Sequence, residues 1–472
     1  MIDLNYKVKL GEIEKLLCTY QKRYLSLKGK ITVIKTLAIP KIIHLLTVLP
    51  SPPKTYIEKL ESVFKKFIWN NKKSRINYNQ ICQNIEDGGL KMTHVKTLIQ
   101  ALKISWIKRL IEGKGGWQDL FASVICEDIE LIWELDIESL GVLSNRISNQ
   151  FWKEVFLSWK AYREGKDTHI CDCMYYPIWN SSFCTVKGIQ CLKSELQNSG
   201  LNYVKDLMDN NGRVLGYLDF KNKFNVNVNF VDFYSLMHCI KREWKGVHTT
   251  CNEINGRVKQ LINKIINTKV CKYVYSDILQ NVKYASNSQA KWTELGFKID
   301  NDEWKDIYRL PVKVTTESKL QSFQYQVVKR SLVTNKSLYL WKIKESDCCQ
   351  FCKRHVETIE HLFFECNVVK HFWSDVSRWL PPELKFGVFV SRKNVLLGDT
   401  RYEGSLLLNH LCILIKRYIY VSKCLDRQLN IISFVRMLRN CYMVEKNIAV
   451  ANDNIKGFEC KWNKMHSIME PL

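Results

Sequence analysis

The sequence predicts a mainly α-helical protein of several helical modules, with a small cysteine- and histidine-bearing knuckle and minor β. Three observations lead there. Apolar residues recur at helical spacing over long stretches, proline and glycine punctuate those stretches, and one short segment gathers cysteines and histidines at ligand spacing.

In chain order, Ile13, Leu17, Tyr20 and Tyr24 form a first stripe. Lys30 to Ala38 predicts a helix ended near Pro40. Ile57, Leu60, Phe64 and Phe67 form a second stripe, and Val95, Leu98, Leu102 and Trp106 a third. Pro50-Ser51-Pro52-Pro53 is a rigid breaker and Asp87-Gly88-Gly89 a turn. Trp117, Trp133, Trp152 and Trp159 are expected as core anchors. Further on, Asn225 to Phe233 predicts a strand-like run and Val258 to Ile266 a helix, while the acidic run Asp300 to Glu303 is expected as a solvated loop. The helical pattern returns at Thr316 through Leu320, Phe323, Val327 and Leu332. After Pro381-Pro382, Phe386 to Val390 predicts another strand-like piece, followed by helices over Gly404 to Leu425 and Ile431 to Asn447. Four regions follow: a basic helical domain over 1–112, a mixed, mainly helical region over 113–315, a helical lead-in with the knuckle over 316–380, and a helical tail over 381–472.

Composition sets the class of partner. The chain has 472 residues, 46% hydrophobic and 25% charged, which is globular and ample for buried cores. Its 71 lysines and arginines exceed its 47 acids by 24, and so large an excess favours nucleic acid as partner. Residues 1–110 hold 21 basic against 7 acidic residues, a local excess of 14. Lys65, Lys66, Lys72, Lys73 and Arg75 concentrate it, with Phe67, Trp69 and Tyr78 interleaved. Cations for phosphates beside rings for bases suit a nucleic-acid surface; the competing reading makes the rings core and the lysines a solvated loop. No apolar run approaches the ~18–20 residues of a membrane span, and the N-terminus lacks a signal-peptide block. The expected setting is the nucleus or cytoplasm, reducing, with no membrane partner and no small-molecule substrate.

The knuckle carries the strongest motif. Cys349 and Cys352 make C-x2-C, eight residues separate Cys352 from His361, and four separate His361 from Cys366. These spacings suit a closed tetrahedral zinc site of structural kind, with no open position for a catalytic water. Five residues on an ideal helix turn about 140°, so Cys366 needs a helix end or distortion to share the face of His361. Cys348 and His355 are rival ligands. No Asp-Asp pair, phosphate-binding glycine loop, nucleophile elbow or H-E-x-x-H pair occurs. No self-sufficient catalytic centre is therefore expected.

At these residues the chain resembles the C-terminal half of non-LTR (LINE-type) retrotransposon reverse transcriptases. The stretch Gln21 to His44, continuing into Lys65 to Asn70 and Gly88-Gly89-Leu90, looks like the thumb that follows the palm. Cys349 to Trp373, with Glu360-His361-Leu362-Phe363-Phe364, looks like the family's zinc-binding region. Asn394 to Gly398, Asn409-His410 and Lys416 to Lys423 are similar to a helical tail. The middle, 111–315, carries no residue-by-residue match. The resemblance implies a parent polymerase that reverse-transcribes element RNA at nicked DNA, whose endonuclease and Asp-Asp palm would lie upstream of Met1. It implies a thumb holding template–primer duplex, with Lys28, Lys30 and Lys35 as duplex contacts or, alternatively, a solvated helix face. It also implies zinc on Cys349, Cys352, His361 and Cys366, and RNA or target DNA on the zinc region and tail. The chain is thus expected to bind nucleic acid without catalysis of its own. The alternatives are a non-catalytic subunit completing a separately encoded polymerase, and a host-adopted zinc module that binds proteins.

Overall fold

The computed structural model describes residues 2–125, 132–135, 137–164, 166, 178, 185–186, 189–190, 199–209, 213–243, 257–281, 287–400 and 405–469. Helices dominate it, and the only named strands among the described residues are the antiparallel pair Thr185–Val186 and Ile189–Gln190. No single described helix is long and apolar enough to cross a membrane. By its contacts the chain divides into two units. One takes Met1–Glu12, Pro40–Glu61 and His94–Lys283; the other takes Ile13–Ile39, Ser62–Thr93 and Tyr284–Leu472.

The first unit is organised on the helix Val95–Glu112, which buries side chains around most of its circumference and so sits centrally. The His94 ring accepts the Thr97 amide at its start, and Gly113, at φ 64°, ends it in the left-handed conformation. Trp106 meets Trp117, Phe151 and Trp152 edge-on, with ring centroids 4.7, 5.2 and 5.6 Å away. Its indole N–H donates to the Thr47 carbonyl at 2.8 Å. Trp133, Trp152 and Trp159 are buried in the same core, and Trp117 packs against it. Lys103 is fully buried there; its ammonium donates to the Leu49 carbonyl, and burial pulls its pKa down to about 8. The predicted strand-like run 225–233 is corrected here. Asn225, at φ 51°, terminates the helix Tyr217–Phe224, residues 226–229 form a short link without regular structure, and Phe230–Glu243 is helical. The Asn229 side chain accepts the Asp232 amide at 2.7 Å, and this cap starts the new helix where alternation suggested a strand.

The second unit buries one continuous apolar core running from Trp292 to Met469, built by the helices Asn301–Val314, Ser318–Val328, Asn367–Trp379, Ser405–Cys424, Ile431–Ala451 and Ile455–Trp462. The acidic run at 300–303 is a helix start, not a loop. Asp300 accepts the Glu303 amide at 2.8 Å, and Asp302 and Glu303 oppose the helix dipole. Phe386 to Val390 is likewise one helical turn, Phe386–Phe389. Its three-residue spacing puts both phenylalanines on the buried face, Phe386 against Trp373 at 6.1 Å, while Val388 faces solvent. The Lys30–Ala38 helix comprises Leu27–Val33 and a π-helical turn, Ile34–Ala38. Pro40 opens the next helix, Pro40–Val48, because proline lacks only an N–H that the first turn leaves unpaired anyway. In the second unit the helix Leu27–Val33 lies against Ser318–Val328, through Ser26 to Ser318 at 3.0 Å and the Lys28 amide to Ser322 at 3.2 Å. Gly89 allows the 84–89 turn to close, since a Cβ there would meet the Gln83 carbonyl oxygen at 2.0 Å.

His410 is fully buried on the Ser405–Cys424 helix, 3.8 Å from Glu445, which also binds Lys461 at 2.8 Å and the Trp462 indole at 2.9 Å. Burial, helped by Lys461 and opposed by Glu445, lowers its pKa to about 3. Below pH about 6.5 the unfolded chain takes up a proton that the fold refuses, so this site costs stability at about 1.4 kcal/mol per pH unit as pH falls. Denaturant unfolding at pH 7, 6 and 5 should therefore show the stability gap between wild type and His410→Gln narrowing as pH falls. A constant gap would refute the assignment.

Candidate metal centre

The site is built on a hairpin-like turn and a distorted helix start. The Cys349 amide donates to the His355 carbonyl at 2.8 Å, the Glu357 amide to Asp347 at 2.9 Å, and the Lys353 amide to Cys349 at 3.0 Å. Cys348 and Val356 form an antiparallel bridge across the turn. This brings the sulfurs of Cys349 and Cys352 to one side. The backbone then enters a π-helical turn, His361–Glu365, closed by the Cys366 amide on the His361 carbonyl at 3.0 Å. A turn closed five residues back holds more residues than 3.6, so residues 361 and 366 return nearer to one face. The angular mismatch expected for an ideal helix is removed by this local underwinding. Cys366 ends the turn at φ −63°, ψ 127° and is the N-cap residue of the helix Asn367–Trp379.

Cys349, Cys352, His361 and Cys366 converge, with their ligand atoms all within 4.8 Å of one another. Cys349 Sγ lies 3.9 Å from Cys366 Sγ, and Cys352 Sγ lies 3.3 Å from His361 Nε2. A tetrahedral zinc with usual bond lengths sets those edges at about 3.8 Å for sulfur–sulfur and about 3.6 Å for sulfur–nitrogen. The donor set and its spacing therefore fit the ion. Neither rival ligand is a member of the convergent group. His355 stands beside it, Nδ1 3.9 Å from Cys352 Sγ; Cys348 is engaged through its backbone, whose carbonyl accepts Asn335 Nδ2 at 2.7 Å.

Local fields favour thiolate on two of the three sulfurs. A hydrogen bond from the Cys349 thiol, with backbone N–H groups of Val368 and Val369 at the helix start, brings Cys366 down to about 7, while the same bond and burial push Cys349 up. Burial opposes ionisation of Cys352, but the N–H groups of Arg354 and His355 and the His361 ring outweigh it and lower its pKa.

Several supporting residues were not singled out by spacing. Glu357 is fully buried; one carboxylate oxygen accepts the Asn335 amide at 2.7 Å and Lys423 at 2.5 Å, and the other accepts the Gln350 amide at 3.0 Å. Gln350 lies inside the C-x2-C, so this carboxylate ties the turn to the helices Asn335–Leu340 and Ser405–Cys424. Arg330 grips Glu360, next to His361, with both terminal guanidinium nitrogens, Nη1 and Nη2, and lies 4.6 Å over the Trp292 ring. Trp373 donates to the Phe363 carbonyl at 2.8 Å, which holds the π turn from inside. Of these, Glu360 and Trp373 are among the residues that carry the resemblance to the zinc-binding region, whereas Glu357 and Arg330 carry no local signal of their roles.

The basic residues named from the sequence separate by environment. Lys66, Lys72 and Lys73 are exposed, as is Lys35. Lys28 is half-buried, its ammonium on Gln321 at 2.7 Å. Lys65 lies 5.0 Å over the Tyr78 ring, and Arg75 5.7 Å over the Trp341 ring. Lys30 is corrected: it is buried, and its ammonium caps the Lys54–Ile68 helix through the carbonyls of Phe67 and Ile68 at 3.0 and 3.2 Å. Phe67, Trp69 and Tyr78 are also buried, so these rings are core and offer no face to a base. In the tail-like stretch, Asn409, His410, Lys416 and Lys423 are all buried. Lys416 donates to Gln324 at 2.6 Å, and desolvation lowers its pKa to about 7.

Removing the charge of Glu357 leaves Lys423 buried without its partner. Glu357→Gln should lower unfolding stability by about 3–5 kcal/mol. Unchanged denaturant unfolding would show that the carboxylate does not brace the turn.

The comparison with known families falls on this same segment. Residues 284–373, all within the second unit, match the family described as zinc-binding in reverse transcriptase. That stretch holds the complete convergent set from Cys349 to Cys366 together with Arg330, Glu357 and Trp373, and over it the chain is similar to the zinc-binding region of reverse transcriptases, which supports a reverse-transcriptase-related protein.

Proposed function

We propose that this chain is the nucleic-acid-binding C-terminal part of a non-LTR retrotransposon RNA-directed DNA polymerase. In this reading it holds template RNA, template–primer duplex or target DNA and performs no polymerase chemistry itself. The observation that carries the reading is the convergence of three sulfurs and one imidazole at zinc-like edges, inside a segment related to reverse transcriptases. Zinc held there by Cys349, Cys352, His361 and Cys366 acts as a structural cross-link, because four protein donors leave no position for a substrate or water. The chain's own residues then do the binding. The exposed ammonium groups of Lys66, Lys72 and Lys73, in the same unit as the cluster, are available to phosphates. The net charge of +24 supports the same partner, and the sequence supplies no Asp-Asp pair to hold catalytic magnesium.

Protein purified without chelator should contain about one zinc per chain, and Cys352→Ala should lose it. Absence of zinc from the wild-type protein by elemental analysis would remove the structural half of the proposal.

Affinity for duplex DNA and for structured RNA should fall steeply with salt, with a log–log slope of about −0.9 per duplex phosphate neutralised. Replacing Lys66, Lys72 and Lys73 together by glutamine should make the duplex slope shallower by about 2–3. A flat slope in the wild-type chain would favour a protein partner instead.

A further inference from the structure

The helix Asn335–Leu340 and the turn after it present apolar side chains to solvent immediately before the metal-site turn. Tyr339 is 49% exposed, Leu340 68%, Trp341 48% and Ile343 67%. Four exposed large apolar side chains within five residues exceed the singly scattered ones of an ordinary surface and mark this segment as a contact surface. The backbone beneath is fixed. Thr334 caps the helix through the Ser337 amide at 3.4 Å, Lys342 takes a left-handed conformation at φ 58°, and the Ile343 amide closes on the Leu338 carbonyl at 2.9 Å. The Lys344 ammonium reaches Asn335 at 3.2 Å, the residue whose amide and side chain are held by Glu357 and Cys348. The rings are therefore held out by the scaffold that also holds the metal-site turn.

The charge around them selects the occupant. Residues 336–344 contain Lys336, Lys342 and Lys344 and no acid; Glu345 follows. Arg75 sits 5.7 Å over the Trp341 ring and is fixed by the Ser331 carbonyl at 3.4 Å. A protein partner for exposed Trp, Tyr, Leu and Ile would need an apolar face that tolerates the guanidinium over Trp341 and the neighbouring lysines of the segment. Unpaired bases offer apolar π-faces on an anionic backbone and satisfy both halves at once.

We propose that Tyr339 and Trp341 form a stacking platform for unpaired nucleotides of a single-stranded nucleic acid, with Arg75 and the neighbouring lysines on its phosphates. This deepens the reading above and rests on it. It also relocates the aromatic component of binding, since the rings among Lys65 to Arg75 are buried and these are not.

The test uses the full chain and two probes, an unstructured 20-nucleotide RNA and a duplex DNA of the same length, across a salt series. Trp341→Ala should weaken single-strand binding about tenfold or more. It should leave duplex affinity, zinc content and thermal unfolding unchanged. Trp341→Phe, which keeps a ring, should restore most of the loss. If wild type binds both probes with a steep slope but Trp341→Ala binds the single strand as well as wild type does, the platform is wrong while the wider reading stands. An equal loss on both probes, or no rescue by Trp341→Phe, also overturns the platform. If wild type binds neither probe at low salt, the underlying reading fails with it.

Discussion

The buried carboxylate of Glu357 holds three pieces of chain that would otherwise have no reason to meet. It accepts an amide from within the C-x2-C turn, an amide at the start of the helix Asn335–Leu340, and the ammonium of Lys423 on a helix more than sixty residues further on. A charge this deep is tolerated only when its acceptor positions are filled, and here backbone and Lys423 fill them. Position, rather than net energy, is what such a pair contributes. It fixes where the first two sulfurs stand relative to the helical core. A second carboxylate, Glu360, does the same for the other half of the site through Arg330 and Trp292.

The second constraint is the π turn from His361 to Glu365. An ordinary helix would direct His361 and Cys366 to different faces; the underwound turn brings both donors inward and then ends, letting Cys366 cap the following helix. The same arrangement aims helix-start N–H groups at the Cys366 sulfur, which favours its thiolate. Geometry and acidity at this ligand thus come from one backbone feature. Below it, Leu362, Phe363, Phe372 and Trp373 join the core that carries the tail helices, so the donor cluster and the apolar interior are one structure.

The cationic residues divide by a simple rule. Those whose ammonium or guanidinium can reach a helix-end carbonyl or buried acceptor are drawn inside, as Lys30, Lys103, Lys416 and Lys423 are. Lys66, in the last turn of the Lys54–Ile68 helix, and Lys72 and Lys73, just beyond it, meet no such acceptor among the described residues and stay in water. A count of charges therefore overstates the surface available to phosphates, and buried lysines contribute to architecture instead.

The sequence by itself determined the helical class, because 3.6-residue periodicity survives along Ile57 to Phe67, Val95 to Trp106 and Ser405 to Cys424. It also named the four converging donors, because ligand residues at short fixed spacing carry their geometry locally. Two strand-like runs, 225–233 and 386–390, are helical in part because short apolar alternation does not separate a strand from one or two helical turns; the Asn229 cap starts the first helix, and the second turn follows Lys385 in the left-handed conformation at φ 49°. Only the tertiary structure decided which charges are buried, that Phe67, Trp69 and Tyr78 are core while Tyr339 and Trp341 face solvent, and that Glu357 braces the metal-site turn. Each of these depends on partners far away in the chain, and no local pattern of residue types records what a side chain meets after folding.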